Sequence, residues 1–186
     1  MKALKLTLIL ALVFIAIGCP TRSIHPLFTA KGLVFDASLL GTWIGSDGKE
    51  TIVFERSGDK AYRVSFTEAA EQGKGESTQV FIVQLGNVGK TRYMDSTPAE
   101  NVQSYYFIPT HLFSRISLNG DKLVIATLEG DRIRDLIDAG KLKIPHVRRD
   151  NEVILTGTPA ELQKALLRLE RDAKAFGDPS EYVRKK

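Results

Sequence analysis

Cys19 is the only cysteine in the chain, and the residues before it decide which chemistry its thiol can undergo. Lys2 and Lys5 give a positively charged start, and residues 6–17 are almost entirely apolar. A charged start, an apolar run of about a dozen residues and a small residue before the cut are typical of a secretory signal peptide. The apolar run is shorter than the roughly 20 residues that span a bilayer. The pattern therefore predicts a signal peptide over residues 1–18, with Cys19 as the first residue of the mature chain.

The segment Ala16-Ile17-Gly18-Cys19 resembles the lipobox of bacterial lipoproteins. That resemblance implies that the Cys19 thiol carries acyl chains such as palmitate and that the chain is cut just before it. Ala16 departs from the leucine that is more usual at the first position of the motif. An ordinary signal peptide followed by a free cysteine is the alternative. The lipoprotein interpretation places the protein in the cell envelope, anchored to a membrane and facing the periplasm or the cell exterior.

No other group of residues has the spacing of a catalytic or metal site. The histidines His25, His111 and His146 are far apart in sequence, so we expect no metal site, and His25 and His111 are expected to be structural or solvated. No serine lies in a nucleophile elbow, and acylation would remove the Cys19 thiol as a nucleophile. Residues 86–91 lack the spacer and the following helix of a phosphate-binding loop. The sequence predicts a protein that is not an enzyme and needs no cofactor.

Charge and length limit the remaining function classes. The formal net charge of +4 falls to about +2 when Lys2 and Lys5 leave with the signal peptide, so nucleic acid is not an expected partner. The basic residues 184–186 could contact anionic lipid head groups, but a solvated tail is favoured. Residues 19–186 suit one domain. With its one cysteine acylated, that domain must be held together by packing without a disulfide.

Short apolar runs separated by turn signals fill most of the chain after residue 33. Tyr62, Val64 and Phe66 alternate with polar residues, and this period of two is typical of a strand with one buried face. Asp47-Gly48 and Asn119-Gly120 are strong hairpin signals. About eight strands are predicted, at residues 42–44, 51–54, 61–67, 80–85, 91–95, 103–108, 112–118 and 123–128. Because no helix-length pattern separates them, we expect an antiparallel meander that closes into an up-and-down barrel.

Helices are predicted only after these strands, which makes the fold class mainly β with C-terminal helices. Residues 131–139 carry apolar side chains on one face, and residues 146–155 have the pattern of one more hairpin. Thr158 is then expected to begin a second helix, with Glu161 completing a capping box. The apolar stripe of this helix, residues 158–176, is one face wide. We therefore expect it to pack on the outside of the barrel.

The domain organisation follows from these elements. The signal peptide at residues 1–18 is followed by a lipidated tether at residues 19–32, in which Pro20 and Pro26 oppose regular structure. A few apolar side chains of the tether are expected to anchor it to the domain. Residues 33–186 then form the single barrel domain.

Phe35-Asp36 followed by Gly41-Thr42-Trp43 resembles the first signature of the lipocalins. In that family a helical turn closes one end of the barrel, and the tryptophan packs against an arginine from near the end of the barrel. The resemblance implies a lipocalin-like barrel in which Trp43 is buried at one end and Arg148 or Arg149 supplies the arginine. The spacing before the glycine is one residue shorter than usual, and the second signature of the family is absent.

The strand pattern leaves the barrel interior as the candidate binding site. We expect its wall to include Trp43, Phe54, Tyr62, Val64, Phe66 and Phe81. A barrel of eight strands can hold one small ligand or be filled by its own side chains, and a filled or nearly filled interior is narrowly favoured. One function is then a lipid-anchored binding module for a small hydrophobic molecule or a fatty acid. The alternative is an envelope interaction or assembly protein with a solid barrel that binds another protein.

Overall fold

The computed structural model describes residues 19–69, 75–99 and 108–186. The strands in these residues are β1 (Arg22–Ser23), β2 (Leu33–Val34), β3 (Gly41–Gly45), β4 (Glu50–Arg56), β5 (Ala61–Glu68), β6 (Ser77–Val88), β7 (Thr91–Pro98), β8 (His111–Asn119), β9 (Lys122–Thr127), β10 (His146–Arg149), β11 (Glu152–Leu155) and β12 (Ser180–Arg184). The helices are α1 (Gly130–Asp138) and α2 (Pro159–Leu169). The predicted signal peptide at residues 1–18 and nearly all of the predicted strand 103–108 lie outside the described residues.

Eight of the strands form a closed antiparallel barrel. Strands β3 to β9 form a meander in which each strand pairs with the next, and β12 pairs with both β3 and β9 to complete the ring. Gly48 (φ 74°) and Gly120 (φ 57°) lie in the two predicted hairpin turns, in a backbone region that glycine enters without a steric cost. The prediction of a meander closed into a lipocalin-like barrel is confirmed.

The strand that closes the barrel comes from the end of the chain. Tyr182 pairs with Gly45 on one side and with Leu123 on the other. Arg184 lies opposite Trp43 in β3, so the expectation of a solvated tail is wrong for this residue. Tyr182 is the only buried residue of β12. The strand has no alternating pattern of its own and is held in place by pairing with two distant strands.

A second layer of structure covers part of the outer wall of the barrel. At the start of α2 the Thr158 hydroxyl accepts from the Glu161 amide while the Glu161 carboxylate accepts from the Thr158 amide, which confirms the predicted capping box. Leu162 and Leu166 of α2 are buried in a core that also contains Phe113 of the barrel wall. The helix therefore packs outside the barrel, as its apolar stripe predicts.

Helix α2 ends at Leu169, well before the predicted end at Phe176. The Asp172 amide donates to the Leu169 carbonyl and the Ala175 amide to the Asp172 carbonyl, so the chain turns away from the helix axis. Phe176 then forms a bridge with Leu128, the residue that follows β9. Phe176 is buried, as the apolar pattern predicts. It packs against the barrel from a non-helical segment, however, so the pattern extends beyond the end of the helix.

The segment predicted as a tether is packed against the domain over most of its length. Strand β1 pairs in parallel with β11 and in antiparallel with β8. Leu27 is fully buried and Phe28 is nearly so. The Phe28 ring lies 2.4 Å from the position that a Cβ on Gly86 would take, so this contact needs glycine in β6. The buried apolar residues and the strand pairing thus hold this segment directly against the domain.

The two ends of the barrel differ, and each is defined by the segments found there. The closed end carries residues 35–40, the β4–β5 turn at residues 57–60 and the start of β9. The open end carries the β3–β4 turn at residues 46–49, the start of α1 and residues 173–179. An interior core of buried side chains fills the barrel towards the closed end.

Candidate ligand-binding cavity

The barrel contains a cavity of about 1110 Å³ that reaches the open end. Its wall is formed by inward-facing side chains of the barrel strands, and its mouth by α1 and residues 173–179. Ligand pockets in proteins commonly enclose about 300–1,000 Å³, so this volume is ample for a small molecule. The narrowly favoured expectation of a filled or nearly filled interior is therefore wrong.

Alternate residues of neighbouring strands give the cavity an apolar wall. Phe54 pairs with Val64 across β4 and β5, Val64 pairs with Phe81 across β5 and β6, and Ile52 pairs with Phe66. Residues two apart on a strand share a face, so these pairs form one continuous surface. The remaining apolar lining residues are Pro20, Val83, Met94, Leu112, Ile125, Leu128, Ala173 and Phe176. Such a wall favours a ligand with an apolar body.

Four of the six predicted wall residues line the cavity, namely Phe54, Val64, Phe66 and Phe81. Trp43 and Tyr62 are fully buried and lie towards the closed end, outside the cavity wall. The Trp43 indole Nε1 donates to the Leu39 carbonyl at 2.8 Å, which holds its ring against the turn that crosses the closed end. Trp43 and Tyr62 thus belong to the barrel interior as predicted but lie in its filled part and do not line the cavity, because alternation identifies the inward face and not the depth at which the interior becomes filled.

At the closed end, Arg184 packs against Trp43. The guanidinium carbon lies 4.2 Å from the centroid of the indole, and Arg184 Nη1 donates to the Leu40 carbonyl at 2.8 Å. This is the tryptophan–arginine contact that the lipocalin resemblance implies, but β12 supplies the arginine. Arg148 forms an ion pair with an aspartate at the end of α1, and Arg149 is exposed. The assignment of that arginine to Arg148 or Arg149 is therefore wrong.

A second group of aromatic side chains packs at the closed end beside Trp43 and Arg184. The rings of Phe35 and Tyr62 are stacked at 4.8 Å between centroids, and the Arg56 guanidinium lies 4.1 Å from the Phe35 centroid. The Tyr62 hydroxyl donates to the Asp36 carbonyl at 3.0 Å and accepts from the Asp36 amide at 2.6 Å. Burial raises the pKa of Tyr62. The phenol therefore stays neutral and satisfied by hydrogen bonds.

Two pairs of polar side chains on the cavity wall are hydrogen-bonded to each other, whereas the buried Glu129 Oε1 at the mouth has no hydrogen-bond partner among the described residues. The Tyr182 hydroxyl donates to Glu50 Oε2 at 2.5 Å. Burial, together with this hydrogen bond, raises the pKa of Tyr182. The hydroxyls of Ser114 and Thr127 are 2.9 Å apart. Because these four side chains already have partners, the apolar surface contributes most of what the wall can offer a ligand.

Charged side chains surround the mouth of the cavity and are named the rim here. The rim consists of Glu129, Asp131, Arg132, Asp135, Lys174 and Asp178. Arg132 Nη2 and Nε both donate to Asp172 Oδ2, at 2.6 and 3.0 Å, and this interaction lowers the pKa of Asp172. A ligand with an apolar body and a polar end would place the polar end among these groups. The sequence analysis did not identify the rim, because its residues come from separate segments that only the fold brings together.

The three histidines lie outside the cavity wall. His111 Nδ1 is 2.6 Å from Asp95 Oδ1, and the Leu27 amide donates to Asp95 Oδ2 at 2.7 Å. This group fastens the N-terminal segment to β7, which is a structural role, while His25 is exposed. Among residues 19–69, 75–99 and 108–186, no three His, Cys, Asp or Glu side chains are grouped as a metal ion would require.

Cys19, the predicted acylation site, lies beside the mouth of the cavity. The Gly130 amide donates to the Cys19 carbonyl at 3.0 Å. Pro20 forms a bridge with Glu129 and lines the cavity itself. The Cys19 side chain is exposed. The sequence carried no signal for this arrangement, because it depends on contacts between residues that are far apart along the chain.

No protein-family model, no curated protein and no solved structure matches this chain. In the part of the chain that the structure describes, neither helix has both the length and the apolar character needed to cross a membrane. The function is therefore inferred from the geometry of the cavity and from the sequence.

Proposed function

We propose that this protein is a membrane-anchored cell-envelope lipoprotein whose barrel binds a small hydrophobic ligand without catalysing a reaction. The observation that carries the proposal is the cavity of about 1110 Å³ with its apolar wall. Moving a ligand from water into such a wall is favourable by about 0.8 kcal/mol for each buried methylene. The paired polar groups on the wall, such as Glu50 with Tyr182, add little to this.

The alternative function, an interaction protein with a solid barrel, has less support because the interior is not solid. Large exposed apolar side chains occur singly on different elements, including Val147 on β10, Leu167 on α2 and Val183 on β12. Single exposed apolar residues are normal on protein surfaces and do not mark a docking site. The cavity is therefore the stronger candidate for the functional site.

The membrane anchor in the proposal is Cys19. A single acyl chain binds membranes only marginally, whereas two or more give stable anchoring. Cys19→Ser should therefore abolish labelling with a palmitate analogue and leave the protein unprocessed or released from the membrane fraction. A Cys19→Ser protein that is still cut after residue 18 and remains on the membrane without lipid would contradict the anchor.

Ligand binding can be tested by titrating the folded domain with an anthroyloxy-labelled fatty acid. We expect micromolar binding, equivalent to about −8 kcal/mol. Phe66→Asp should abolish it, because an unpaired charge on an apolar wall is costly to bury. Thr67→Asp is the matched control, since Thr67 is the next residue of β5 and its side chain is on the outer face, 2.9 Å from Thr78.

Both variants must first show the circular dichroism spectrum of the parent protein. Binding by the parent and by Thr67→Asp, together with loss in Phe66→Asp, supports the cavity as the site. Equal binding by all three proteins would place the probe elsewhere on the surface. No binding by the folded parent would remove the ligand-binding proposal.

A further inference from the structure

We infer that the mouth of the cavity faces the surface of the bilayer that holds the anchor, and that the cavity exchanges its ligand directly with that bilayer. The ligand class would then be a membrane-resident amphiphile with an apolar chain. This inference rests on the proposed function, because it assumes an acylated Cys19 and a ligand in the cavity. The structural basis is the contact between the first residues of the mature chain and the mouth.

Cys19 and the start of α1 are held together closely. A Cβ on Gly130 would lie 2.2 Å from the Cys19 carbonyl oxygen, so only glycine allows this approach. Pro20 then bridges to Glu129 of the rim, and the Thr21 amide donates to the Leu128 carbonyl at 3.0 Å. The chain is therefore held at the mouth of the cavity starting at Cys19, the residue that would carry the lipid.

Because this segment is paired with the barrel and is not a flexible linker, it restricts how the domain can be oriented on a membrane. A flexible linker of the length of residues 19–32 would have an end-to-end distance of roughly 20 Å, which would let a domain turn freely. Here the segment is paired with the barrel from Pro20, and β1 follows at Arg22. Acyl chains on Cys19 would consequently hold the open end, and not the closed end, at the bilayer.

The polarity of the cavity fits an amphiphile that comes from this direction. Lining residues extend along β4 from Glu50 to Phe54 and along β6 from Gln79 to Val83. At about 3.3 Å per residue, this depth is roughly 13 Å along a strand. The deep part is apolar and the rim is charged, so a ligand would enter with its chain first. Its polar end would stay at the same boundary between water and membrane that it occupies in the bilayer.

The charge of the rim adds a further expectation about the membrane. Arg134 pairs with Asp131 and Asp135, and Arg132 pairs with Asp172. With these pairs counted, the mouth has five carboxylates (Glu129, Asp131, Asp135, Asp172 and Asp178) against three cations (Arg132, Arg134 and Lys174), a net charge of −2. Charges interact across about 8 Å at physiological ionic strength and over longer distances at low salt. Ligand transfer should therefore be faster with zwitterionic than with anionic vesicles at low salt, and the difference should shrink as salt is added.

The orientation can be tested with the lipidated protein in phosphatidylcholine vesicles that contain a spin-labelled lipid as a quencher. Lys49 lies in the β3–β4 turn at the open end, Lys60 lies in the β4–β5 turn at the closed end, and both are exposed. Fluorophores attached to Lys49→Cys and Lys60→Cys are a matched pair. We expect at least three-fold stronger quenching at position 49. Equal quenching, or stronger quenching at position 60, would overturn the orientation.

Direct exchange can be tested by lengthening the anchor. Twelve Gly/Ser residues inserted between Cys19 and Pro20 leave the residues before the cut unchanged but separate the anchor from the mouth. The rate at which an anthroyloxy-labelled fatty acid passes from the anchoring vesicles to the protein should fall at least five-fold. The control is the same insertion between Gly58 and Asp59 at the closed end, which should leave the rate unchanged.

The outcomes separate this inference from the proposed function. If both insertion variants bind the probe in solution as the parent does, and only the Cys19–Pro20 insertion slows transfer, the inference holds. If the Cys19–Pro20 insertion transfers the probe as fast as the parent, exchange does not depend on the mouth facing the bilayer and the inference is wrong, while the binding function stands. If the folded parent binds no probe at all, the proposed function itself fails.

Discussion

The two ends of the barrel have the same strands and the same alternation, but in the described part of the chain side chains fill one end, whereas the other end borders a cavity. At the closed end, Trp43 is held between the barrel and Arg184, and Phe35 is stacked on Tyr62. At the open end, phenylalanines such as Phe66 and Phe81 border a cavity of about 1110 Å³. The strands therefore do not decide whether a barrel is filled.

The segments that join the barrel at each end account for the difference. Residues 35–40 cross the closed end and place Leu39 and Phe35 against the interior core. At the open end, α1 and the N-terminal segment contribute their apolar side chains mainly to the second core outside the barrel. Packing inside the barrel is thus concentrated at the closed end, which leaves space for a ligand at the open end.

Truncation of one aromatic side chain at each end should give the largest contrast in stability. Trp43→Ala removes a fully buried ring that packs on Arg184, and such changes cost about 3–5 kcal/mol. Phe81→Ala should cost less than half as much, because its ring already borders empty space. Urea unfolding of both variants measures the difference. Equal losses would mean that the two ends are packed alike.

A substitution of Arg184 tests the contact with Trp43 at the closed end by removing the arginine instead of the tryptophan. Arg184→Ala removes the guanidinium from the Trp43 ring and its hydrogen bond to the Leu40 carbonyl, and we expect a loss of about 1–3 kcal/mol. The neighbouring Lys185 is exposed, so Lys185→Ala should leave the melting temperature unchanged. A Lys185→Ala protein that melts as low as Arg184→Ala would assign the effect to loss of charge at the end of the chain.

Asp36 gives the closed end a specific dependence on pH. Hydrogen bonds from Ser38 and the ion pair with Arg92 hold the pKa of Asp36 below its ordinary value of 3.8. A lowered pKa in the folded state contributes stability above pH 4 that is lost as the pH falls through the folded pKa. The pair is partly exposed, so we expect less than about 1 kcal/mol.

The comparison for this prediction is Asp36→Asn. It should be slightly less stable than the parent at pH 7, and the difference should disappear towards pH 2 in thermal melts. A difference that stays constant across this range would show that Asp36 acts through its shape and hydrogen bonds alone.

Placing a larger side chain in the cavity at the open end should have the smallest effect on the free energy of unfolding. Ser96 lines the cavity, and Ser96→Trp would occupy part of that space without removing a packed side chain. We expect the unfolding free energy to change by less than about 1 kcal/mol, because existing contacts are kept. A large loss in urea unfolding would show that the cavity closes in solution and leaves no room for the new ring.

The parts of the fold that were predictable from sequence are those with a local pattern. The alternation in β5 and the turn at Asn119-Gly120 predict their strands and hairpin. The capping box at Thr158 predicts the start of α2. Strand β12 and the end of α2 were not predictable in this way. Pairing with two distant strands determines the first, and the bridge between Phe176 and Leu128 determines the second.

The site was predictable only in part, for a related physical reason. Alternation identifies Phe54, Val64, Phe66 and Phe81 as inward-facing, and all four line the cavity. It does not reveal where the interior core stops, so Trp43 and Tyr62 were assigned to the wall as well. The rim and the contact between Cys19 and Gly130 arise from tertiary contacts that leave no local pattern.

Calorimetric titration of the parent protein and of Ser96→Trp with a long-chain fatty acid tests the central claim most directly. The parent should bind one molecule with micromolar affinity, equivalent to about −8 kcal/mol, and a negative heat-capacity change. Ser96→Trp should remain folded and bind at least ten-fold more weakly, because the new ring occupies the cavity. Equal affinity in the two folded proteins, or no binding by either, would contradict the account of the open end as a ligand-binding cavity.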